Sequence, residues 1–394
     1  MGEEHAIASK ALGDERKLKI WKPQGYESTD QTYPVLYLLD GERWFNYAAS
    51  LAQLFSEYGY TPDFIIVGID TDDRARYPLF ANGERLIQHI EQEVMPIIDA
   101  RYRTHGENLL FGWQFAGAFA IEWAAKAPER WKGIFAASPI PLSQSRLQAF
   151  EKNLQDSCFK NLNLLFTTSQ NENAVEPGAI ALDELLQKYP EAGVRWKYHK
   201  SANEEIVSFG HRTTPLSTLY QGLRFHFSDY PLLEFNDLAS YEKAGGFDYV
   251  MEYYRQRAEK YGLPANVPQE GQFFLVRLGL DANHFPTFST MMDAFFDKEL
   301  MEETNLGWGS RYAEFYMTHD HPEGAIKVYQ KLIERFPDQA RPLNGLGKAF
   351  QAQGEIEKAR EHLEKAVVLA EQQNDRRTEQ YRQDLVLLLE LKNK

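Results

Sequence analysis

The chain has 394 residues, enough for two or three domains, and its 43% hydrophobic and 25% charged residues are typical of a globular protein. Its 43 basic and 57 acidic residues give a net charge of −14, which disfavours binding to the phosphate backbone of a nucleic acid. Cys158 is the single cysteine, so the chain can form neither an intramolecular disulfide nor a zinc site built from cysteines.

The beginning of the chain is the polar segment Met1-Gly-Glu-Glu-His, which lacks the apolar core of a signal peptide. No stretch reaches the roughly 20 apolar residues that a membrane span needs, so we expect a soluble protein without one. The compartment stays open, because a cytoplasmic protein and an exported protein that had lost its signal peptide would look alike here.

Strands and helices alternate up to about residue 225, where short apolar or alternating runs are separated by helical periodicity. The predicted strands are Lys17–Trp21, Val35–Leu39, Phe64–Gly68, Leu109–Phe111, Gly133–Ala137, Leu162–Thr168 and Val194–His199. The first of them alternates like an edge strand. Leu86–Tyr102 and Ala116–Ala127 have the spacing of helices. This order predicts a mostly parallel sheet with helices on both faces.

The second part of the chain is predicted to be helical, first in an aromatic-rich region and then in an internal repeat. Ala325-Ile326 recurs as Ala359-Arg360, 34 residues later, which is the period of tetratricopeptide (TPR) repeats. Two copies and a final helix, Arg376–Leu391, account for the end of the chain. Two copies are fewer than an independent solenoid needs, so we expect them to pack on the preceding domain.

The most informative segment is Asn108-Leu-Leu-Phe-Gly-Trp-Gln-Phe-Ala-Gly117, in which a strand enters a glycine-flanked turn followed by a helix of small residues. This is the layout of the nucleophile elbow, G-x-S-x-G, whose tight turn needs small residues two positions before and after the nucleophile. Gly112 and Ala116 supply them. The nucleophile position holds Gln114, whose carboxamide has no proton that could leave to give a usable nucleophile.

Several further segments, in order over roughly residues 10–227, carry a resemblance to a known family. They are Tyr33-Pro-Val-Leu-Tyr-Leu-Leu-Asp40-Gly41, Val67-Gly68-Ile69 with Arg74-Ala-Arg76, Glu93 with Pro96 and Tyr102-Arg103, the elbow, Ser138-Pro139, and His211 with Pro215 and Gly222-Leu223. Together they resemble the putative esterase family, which includes enterobactin (ferric siderophore) esterases and esterase D. The resemblance implies an α/β-hydrolase fold and hydrolysis of a carboxylic ester through a serine nucleophile.

The resemblance, the change of pattern near Phe227 and the internal repeat together predict a domain division. We expect an α/β-hydrolase domain of the esterase kind at residues 1–227, a helical linker region at 228–305, and two TPR-like repeats with a capping helix at 306–394. The fold class is therefore α/β with a mostly parallel sheet, followed by an all-helical C-terminal tail. Some members of the family share such a tail.

Site residues follow from the same resemblance. Gln114 stands at the nucleophile position, His211 matches the general base in the loop before the last helix of the domain, and Glu172 is the candidate acid, with Glu205 as a second candidate. This is the chain order of an α/β-hydrolase triad. A loop histidine or a loop carboxylate can equally be structural, and that alternative stays open.

Other residues are predicted to form the oxyanion and binding surfaces. The backbone N–H of Phe115 and one near Gly41 or Glu42 would bind an oxyanion. Trp44, beside that loop, and Trp113, beside the nucleophile position, would line a ligand pocket, although Trp44 with its neighbour Phe45 could also be plain core packing.

Two weaker motifs are interpreted as structural. Ser138 and Ser169 are conceivable replacement nucleophiles, but neither lies in an elbow. His319-Asp320-His321 resembles a metal cluster but falls between the two helices of the first repeat, where a polar turn is expected. We therefore expect no metal and no cofactor.

Three functional hypotheses remain from the sequence. The chain is an esterase-family protein that has lost the serine mechanism and binds an ester-like small molecule or a partner, or it is a carboxylic-ester hydrolase with a modified mechanism. In the third, the TPR-like tail is a scaffold for a protein partner. The identity of the substrate is not predicted, because fold-level analogy is a weak warrant.

Overall fold

The computed structural model of the protein describes residues 2–71, 76–81, 83–170, 172–201 and 207–391. The chain divides into two compact units, Met1–Pro231 and Leu232–Lys394. Among the described helices, none combines the length and the apolar character needed to cross a bilayer.

The first unit is built on one sheet of eight strands among the described residues. They are β1 (Glu3–Ser9), β2 (Asp14–Trp21), β3 (Tyr33–Leu39), β4 (Ile65–Ile69), β5 (Thr104–Trp113), β6 (Gly133–Ala137), β7 (Leu162–Thr168) and β8 (Val194–Lys200), in the spatial order β1-β2-β4-β3-β5-β6-β7-β8. The strands from β3 onward pair in parallel, and β2 pairs antiparallel with both β1 and β4. The predicted mostly parallel sheet is confirmed.

Burial explains why the central strands are continuous apolar runs. Every residue of β3, β4 and β6 is buried, as expected when helices cover both faces of a parallel sheet. The prediction of an edge strand at Lys17–Trp21 is wrong, because β1 covers that side of β2. Since β1 begins with polar residues and is mostly exposed, it has no apolar run from which it could be predicted.

The helices of the first unit lie between these strands. They are α1 (Gly41–Glu57), α2 (Arg76–Ala81), α3 (Gly83–His89), α4 (Met95–Arg101), α5 (Phe115–Lys126), α6 (Gln144–Gln155), α7 (Glu176–Lys188) and α8 (Val207–His226). The segment predicted as one helix at Leu86–Tyr102 contains a π-helical turn, Ile90–Val94, between α3 and α4. Pro96 has no N–H with which to continue the regular hydrogen-bond pattern through this turn.

The second unit is helical. Its helices are α9 (Leu238–Ala244), α10 (Gly246–Tyr261), α11 (Gln269–Asp281), α12 (Phe285–Phe295), α13 (Met301–Glu303), α14 (Leu306–Thr318), α15 (Pro322–Arg335), α16 (Ala340–Ala352), α17 (Ile356–Gln373) and α18 (Thr378–Leu391). The starts of α14 and α16 are 34 residues apart, as are those of α15 and α17, so the helices follow the repeat seen in the sequence.

One hydrophobic core joins the repeats to the helices before them. Phe288 of α12 contacts Tyr312 and Tyr316 of α14, and the same cluster includes Leu363 of α17. The repeats thus bury their apolar face against α9–α13 as well as against each other, which is how two repeats can be stable without a longer solenoid.

Candidate active site

The turn between β5 and α5 has the geometry of a nucleophile elbow. Gln114 adopts φ 54° and ψ −115°, a backbone conformation that is strained for any residue other than glycine. A Cβ atom on Gly112 would lie 2.4 Å from the carbonyl carbon and oxygen of Ala116, so the turn can close only because Gly112 has no side chain. The elbow predicted from the sequence is therefore present.

The neighbouring strand β6 holds the elbow in place. The Gln114 N–H donates to the carbonyl oxygen of Ala137 at 2.8 Å, and the Ile140 N–H donates to the Gln114 carbonyl at 3.2 Å. A strained conformation persists only where surrounding hydrogen bonds over-determine it. The backbone thus projects the Gln114 side chain from the carboxyl edge of the sheet, where α/β proteins place their ligands.

His211 reaches this edge from α8. The prediction that it lies in a loop before the last helix is wrong, since α8 begins at Val207 and continues through Pro215. A proline is usual in the first turn of a helix, whereas Pro215 lies in the interior of α8. In α8 it instead removes the hydrogen bond that the His211 carbonyl would accept.

Contacts along α8 fix its position over the sheet. The Tyr47 hydroxyl of α1 donates to the Leu216 carbonyl at 3.0 Å, and the hydroxyls of Thr218 and Thr167 lie 2.6 Å apart. At the far end of α8, buried His226 hydrogen-bonds through Nε2 to Glu107 at 2.7 Å. His211, near the other end of α8, thus belongs to a helix that is anchored at several points.

Glu172 lies just beyond β7 and is held by three groups. Its Oε1 accepts a hydrogen bond from His211 Nδ1 and one from Ser138 Oγ at 2.8 Å, and its Oε2 accepts from the Ser169 N–H at 2.9 Å. Burial alone would raise the pKa of Glu172, but these hydrogen bonds outweigh it and hold that pKa below its ordinary value. The carboxylate is therefore ionised and aimed at the imidazole.

Gln114 contacts the other nitrogen of the His211 imidazole. Its side-chain Nε2 lies 2.5 Å from His211 Nε2. An amide nitrogen can only donate, so His211 Nε2 accepts, and the ring proton resides on Nδ1, where it donates to Glu172. The carboxylate, the imidazole and the carboxamide form one hydrogen-bonded row, and the nitrogen that would act as a general base is occupied by Gln114.

Two tryptophans stand beside this row. The rings of Trp44 and Trp113 meet edge to face with centroids 5.6 Å apart, and the Trp113 ring lies 5.3 Å from the imidazole of His211. Both tryptophans are half-buried, as is the imidazole. An apolar wall is therefore present next to the row.

The first turns of α1 and α5 follow adjacent parallel strands, β3 and β5. Gly41 and Glu42 begin α1, and Phe115 begins α5. The first N–H groups of a helix have no acceptor within the helix, and the helix dipole adds partial positive charge there. Both predicted oxyanion segments thus lie at the same edge of the sheet as Gln114.

Acidic side chains lie next to the start of α1. Glu42 accepts a hydrogen bond from the Thr71 N–H at 3.3 Å, and the Thr71 hydroxyl donates to buried Asp40. Partial burial and the neighbouring charge of Asp40 raise the pKa of Glu42. These contacts orient Glu42 toward the end of β4, which is on the other side of β3 from β5.

The structure also places the remaining predicted residues. Ser138 and Ser169 are fully buried, and both contact Glu172. Sequence reasoning missed this contact, although Ser138 and Glu172 follow adjacent strands, β6 and β7, whose carboxyl ends meet at one edge. Glu205, and Arg74 and Ala75 of the family segments, lie outside the described residues.

The His319–His321 segment connects α14 to α15. His319 Nδ1 hydrogen-bonds to the Phe315 carbonyl oxygen at 2.9 Å, and the ring of His321 stacks on Phe285 with centroids 4.2 Å apart. Within the described ranges, no three His, Cys, Asp or Glu side chains are grouped so that they could hold a metal ion.

Comparisons with known proteins agree with this fold. Residues 9–200 match the family described as "Putative esterase", and residues 311–338 match the tetratricopeptide repeat. No curated protein sequence matches the chain.

Solved structures show the same architecture. An IroE-like serine hydrolase from Shewanella oneidensis is 22% identical, with a TM-score of 0.55 over 74% of this chain and 98% of that one. An uncharacterised protein from Capnocytophaga ochracea is 16% identical, with a TM-score of 0.56 over 99% of both chains. The BES protein from Bacillus cereus is 21% identical, with a TM-score of 0.51 over 57% and 95%. Residues 9–200 are thus similar to the putative esterase family, on an α/β-hydrolase fold that is followed by a helical region with a TPR repeat.

Proposed function

We propose that the first unit binds an ester-like small molecule and does not hydrolyse it by the serine mechanism of its family. The observation that carries this proposal is the contact between Gln114 Nε2 and His211 Nε2. The residue at the nucleophile position is not a nucleophile, and in addition it occupies the nitrogen that would take up a proton. In this proposal the family's triad persists as a hydrogen-bonded row without its reactive hydroxyl.

The elements around the row support ligand binding. The elbow, the first turns of α1 and α5, and the Trp44–Trp113 wall are all retained at the carboxyl edge of the sheet. Helix N-termini attract a carbonyl oxygen or an anionic oxygen, and aromatic rings attract an apolar acyl or aryl group. In this proposal the N–H groups of Phe115 and of Gly41 or Glu42 bind the ester oxygen, and the tryptophans contact its apolar part.

A modified hydrolytic mechanism is the alternative. It would use a bound water with His211 as the base and Glu172 as the orienting acid. For this the water would have to displace the Gln114 amide from His211 Nε2, which is possible only if the carboxamide leaves its hydrogen bond. The occupied base therefore favours binding over hydrolysis.

Hydrolysis of a short-chain aryl ester tests the proposal. The parent chain, Gln114→Ser, and Gln114→Ser with His211→Ala would be assayed side by side. We expect the parent to be silent and Gln114→Ser to turn over, because a serine hydroxyl at this elbow would face an imidazole already oriented by Glu172. The gain should disappear in the double variant.

Two results would contradict the proposal in different ways. Turnover by the parent that is lost in His211→Ala would establish the modified mechanism. Silence of both the parent and Gln114→Ser, in folded proteins, would mean that the site has diverged beyond its nucleophile. In that case, failure of the protein to bind a non-hydrolysable phosphonate analogue of the ester would rule out the ligand-binding role.

Protein binding by the second unit is a second candidate function. A groove of about 460 Å³ is lined by residues of α14, α16 and α18 and by the segment before α18. Arg341, Lys348 and Arg377 bring positive charge to it, and Glu314 and Asp384 bring negative charge. In this proposal the groove, a surface between repeat helices, holds a segment of a partner protein.

A charge reversal tests the second candidate. Lys348→Glu changes the groove, whereas Lys365→Glu makes the same change on α17, where Lys365 pairs with Glu361 outside the groove. Each full-length variant would be cross-linked in its native extract, and the captured partner proteins would be compared. A partner lost only with Lys348→Glu supports binding in the groove, and equal capture by both variants argues against it.

A further inference from the structure

Ser138 is not in the position of a nucleophile, and a residue that only packed in the core would not need its hydroxyl. It follows β6, adopts φ 44°, and is fully buried. Its N–H donates to the Thr167 carbonyl at 2.9 Å, which continues the β6–β7 pairing by one residue. The left-handed conformation is unfavourable for a serine, so the contacts of this residue must stabilise it.

The hydroxyl of Ser138 is directed at both oxygens of Glu172. Its Oγ lies 2.8 Å from Oε1 and 3.0 Å from Oε2. A carboxylate only accepts hydrogen bonds, so the serine proton must be donated to it. Ser138 is therefore on the acid side of His211, whereas the nitrogen that could serve as a base, Nε2, faces Gln114. A proton relay from Ser138 to that nitrogen is not available.

We propose that Ser138 is a positioning residue that holds the Glu172 carboxylate ionised and oriented toward His211 Nδ1. This inference deepens the proposed function, on which its catalytic consequence rests. Ser138 also links the two sides of the site, because its neighbour Ala137 accepts the hydrogen bond from the Gln114 N–H. The turn after β6 thus positions the elbow with a backbone group and the acid with a side chain.

Ser169 provides a matched control next to the same carboxylate. It is also fully buried, and its backbone N–H donates to Glu172 Oε2. Its hydroxyl has no hydrogen-bond partner among the residues that the structure describes. Ser169→Ala thus removes a buried hydroxyl of the same size without removing a hydrogen bond from Glu172, whereas Ser138→Ala removes one.

The first test is the titration of the Glu172 carboxyl carbon by ¹³C NMR in the parent chain. We expect Ser138→Ala to move the midpoint to higher pH, because a donor to the charged form is lost, and Ser169→Ala to leave it in place. Ser138→Gly should give the same upward shift and folds without strain at a positive φ. An unmoved midpoint in folded Ser138→Gly, or an equal shift in Ser169→Ala, overturns the assignment.

The second test is kinetic and uses Gln114→Ser as the background. Adding Ser138→Ala should lower kcat about tenfold with little change in KM, because one hydrogen bond to a charged group is lost. An unchanged kcat would overturn the positioning role. If Gln114→Ser is itself silent, the restoration expected under the proposed function has failed, and the titration in the parent chain still decides the role of Ser138.

Discussion

Two carboxylates of the first unit have nearly the same hydrogen-bond partners but different surroundings. Glu93 and Glu172 each accept from the Nδ1 of a histidine, from a serine hydroxyl and from at least one backbone N–H. His89, the partner of Glu93, is fully buried, whereas the side chain of His211 is 32% exposed and meets Gln114. The two sites therefore differ in the surroundings of the histidine Nε2.

The Glu93 cluster closes the turn between β1 and β2. Its carboxylate accepts from Ser9 Oγ at 2.6 Å and from the N–H groups of Lys10 and Ala11 at 2.8 and 3.0 Å. The Nε2 of His89 is buried and has no hydrogen-bond partner within the described part of the chain. A serine, a glutamate and a histidine in contact thus make a structural clamp here. The surroundings of the second ring nitrogen, and not the hydrogen bond between Nδ1 and a carboxylate, therefore mark the candidate active site.

The largest expected effect is on activity, and it distinguishes Glu172 from Glu93. In the Gln114→Ser background, Glu172→Gln should lower kcat by up to about 10⁴-fold, because the amide cannot hold His211 in the required tautomer. Glu93→Gln should leave kcat unchanged. Initial rates with an aryl ester measure both, and similar losses in the two variants would show that the clusters do not differ in role.

Replacing the histidines should affect stability in the opposite order to activity, with the larger loss at His89 and the smaller loss at His211. His89→Ala leaves a cavity in place of a fully buried ring and removes one hydrogen bond from Glu93, so we expect the free energy of unfolding to fall by about 3 kcal/mol. His211→Ala should cost about 1 kcal/mol or less, because the His211 side chain is 32% exposed and Glu172 keeps its hydrogen bonds from Ser138 and Ser169. Urea denaturation of both variants provides the comparison, and a larger loss in His211→Ala would reverse the interpretation.

Acid should affect the Glu93 clamp in a defined pH range. Burial would raise the pKa of Glu93, but the hydrogen bonds from His89, Ser9 and the turn lower it to about 2. The unfolded chain therefore binds this proton at higher pH than the folded chain does. The stabilisation by Glu93 is complete above about pH 4.3 and is lost as the pH falls toward 2. Melting temperatures over this range should fall less steeply in Glu93→Gln, and an unchanged slope would contradict the clamp.

The smallest effect concerns Gln114 itself. Gln114→Ser should change the free energy of unfolding by less than about 1 kcal/mol, since the side chain is half-buried and the elbow backbone is held by β6. Chemical denaturation of the parent and the variant measures this. A loss of several kcal/mol would mean that the carboxamide is retained for the stability of the fold and not for the site.

The sequence predicted the parallel core of the fold better than its edge. Central strands such as β3 and β6 are apolar throughout, so hydrophobicity alone revealed them. In contrast, β1 begins with three polar residues, lies at an exposed edge and has no continuous apolar run. The 34-residue repeat was predicted because Tyr312 and Leu346, at equivalent positions, are both buried in the core.

The candidate site was predicted where local turns determine it. Gly112 and Gln114 could be placed from the elbow pattern, whereas Glu172 was carried over from the family resemblance. The partners of Glu172 could not be predicted, because Ser138 meets it only through the register of β6 and β7. Pro215 concealed the helical setting of His211, since a proline inside a helix is uncommon.

Loss of the serine mechanism in this protein depends most on the contact of the Gln114 carboxamide with His211 Nε2. ¹⁵N NMR of the His211 ring in the parent and in Gln114→Ala, at mildly alkaline pH, tests it directly. We predict a neutral ring protonated on Nδ1, with an Nε2 resonance that shifts when the amide donor is removed in Gln114→Ala. A ring protonated on Nε2, or an Nε2 resonance that is unchanged in Gln114→Ala, would show that the carboxamide does not occupy this nitrogen.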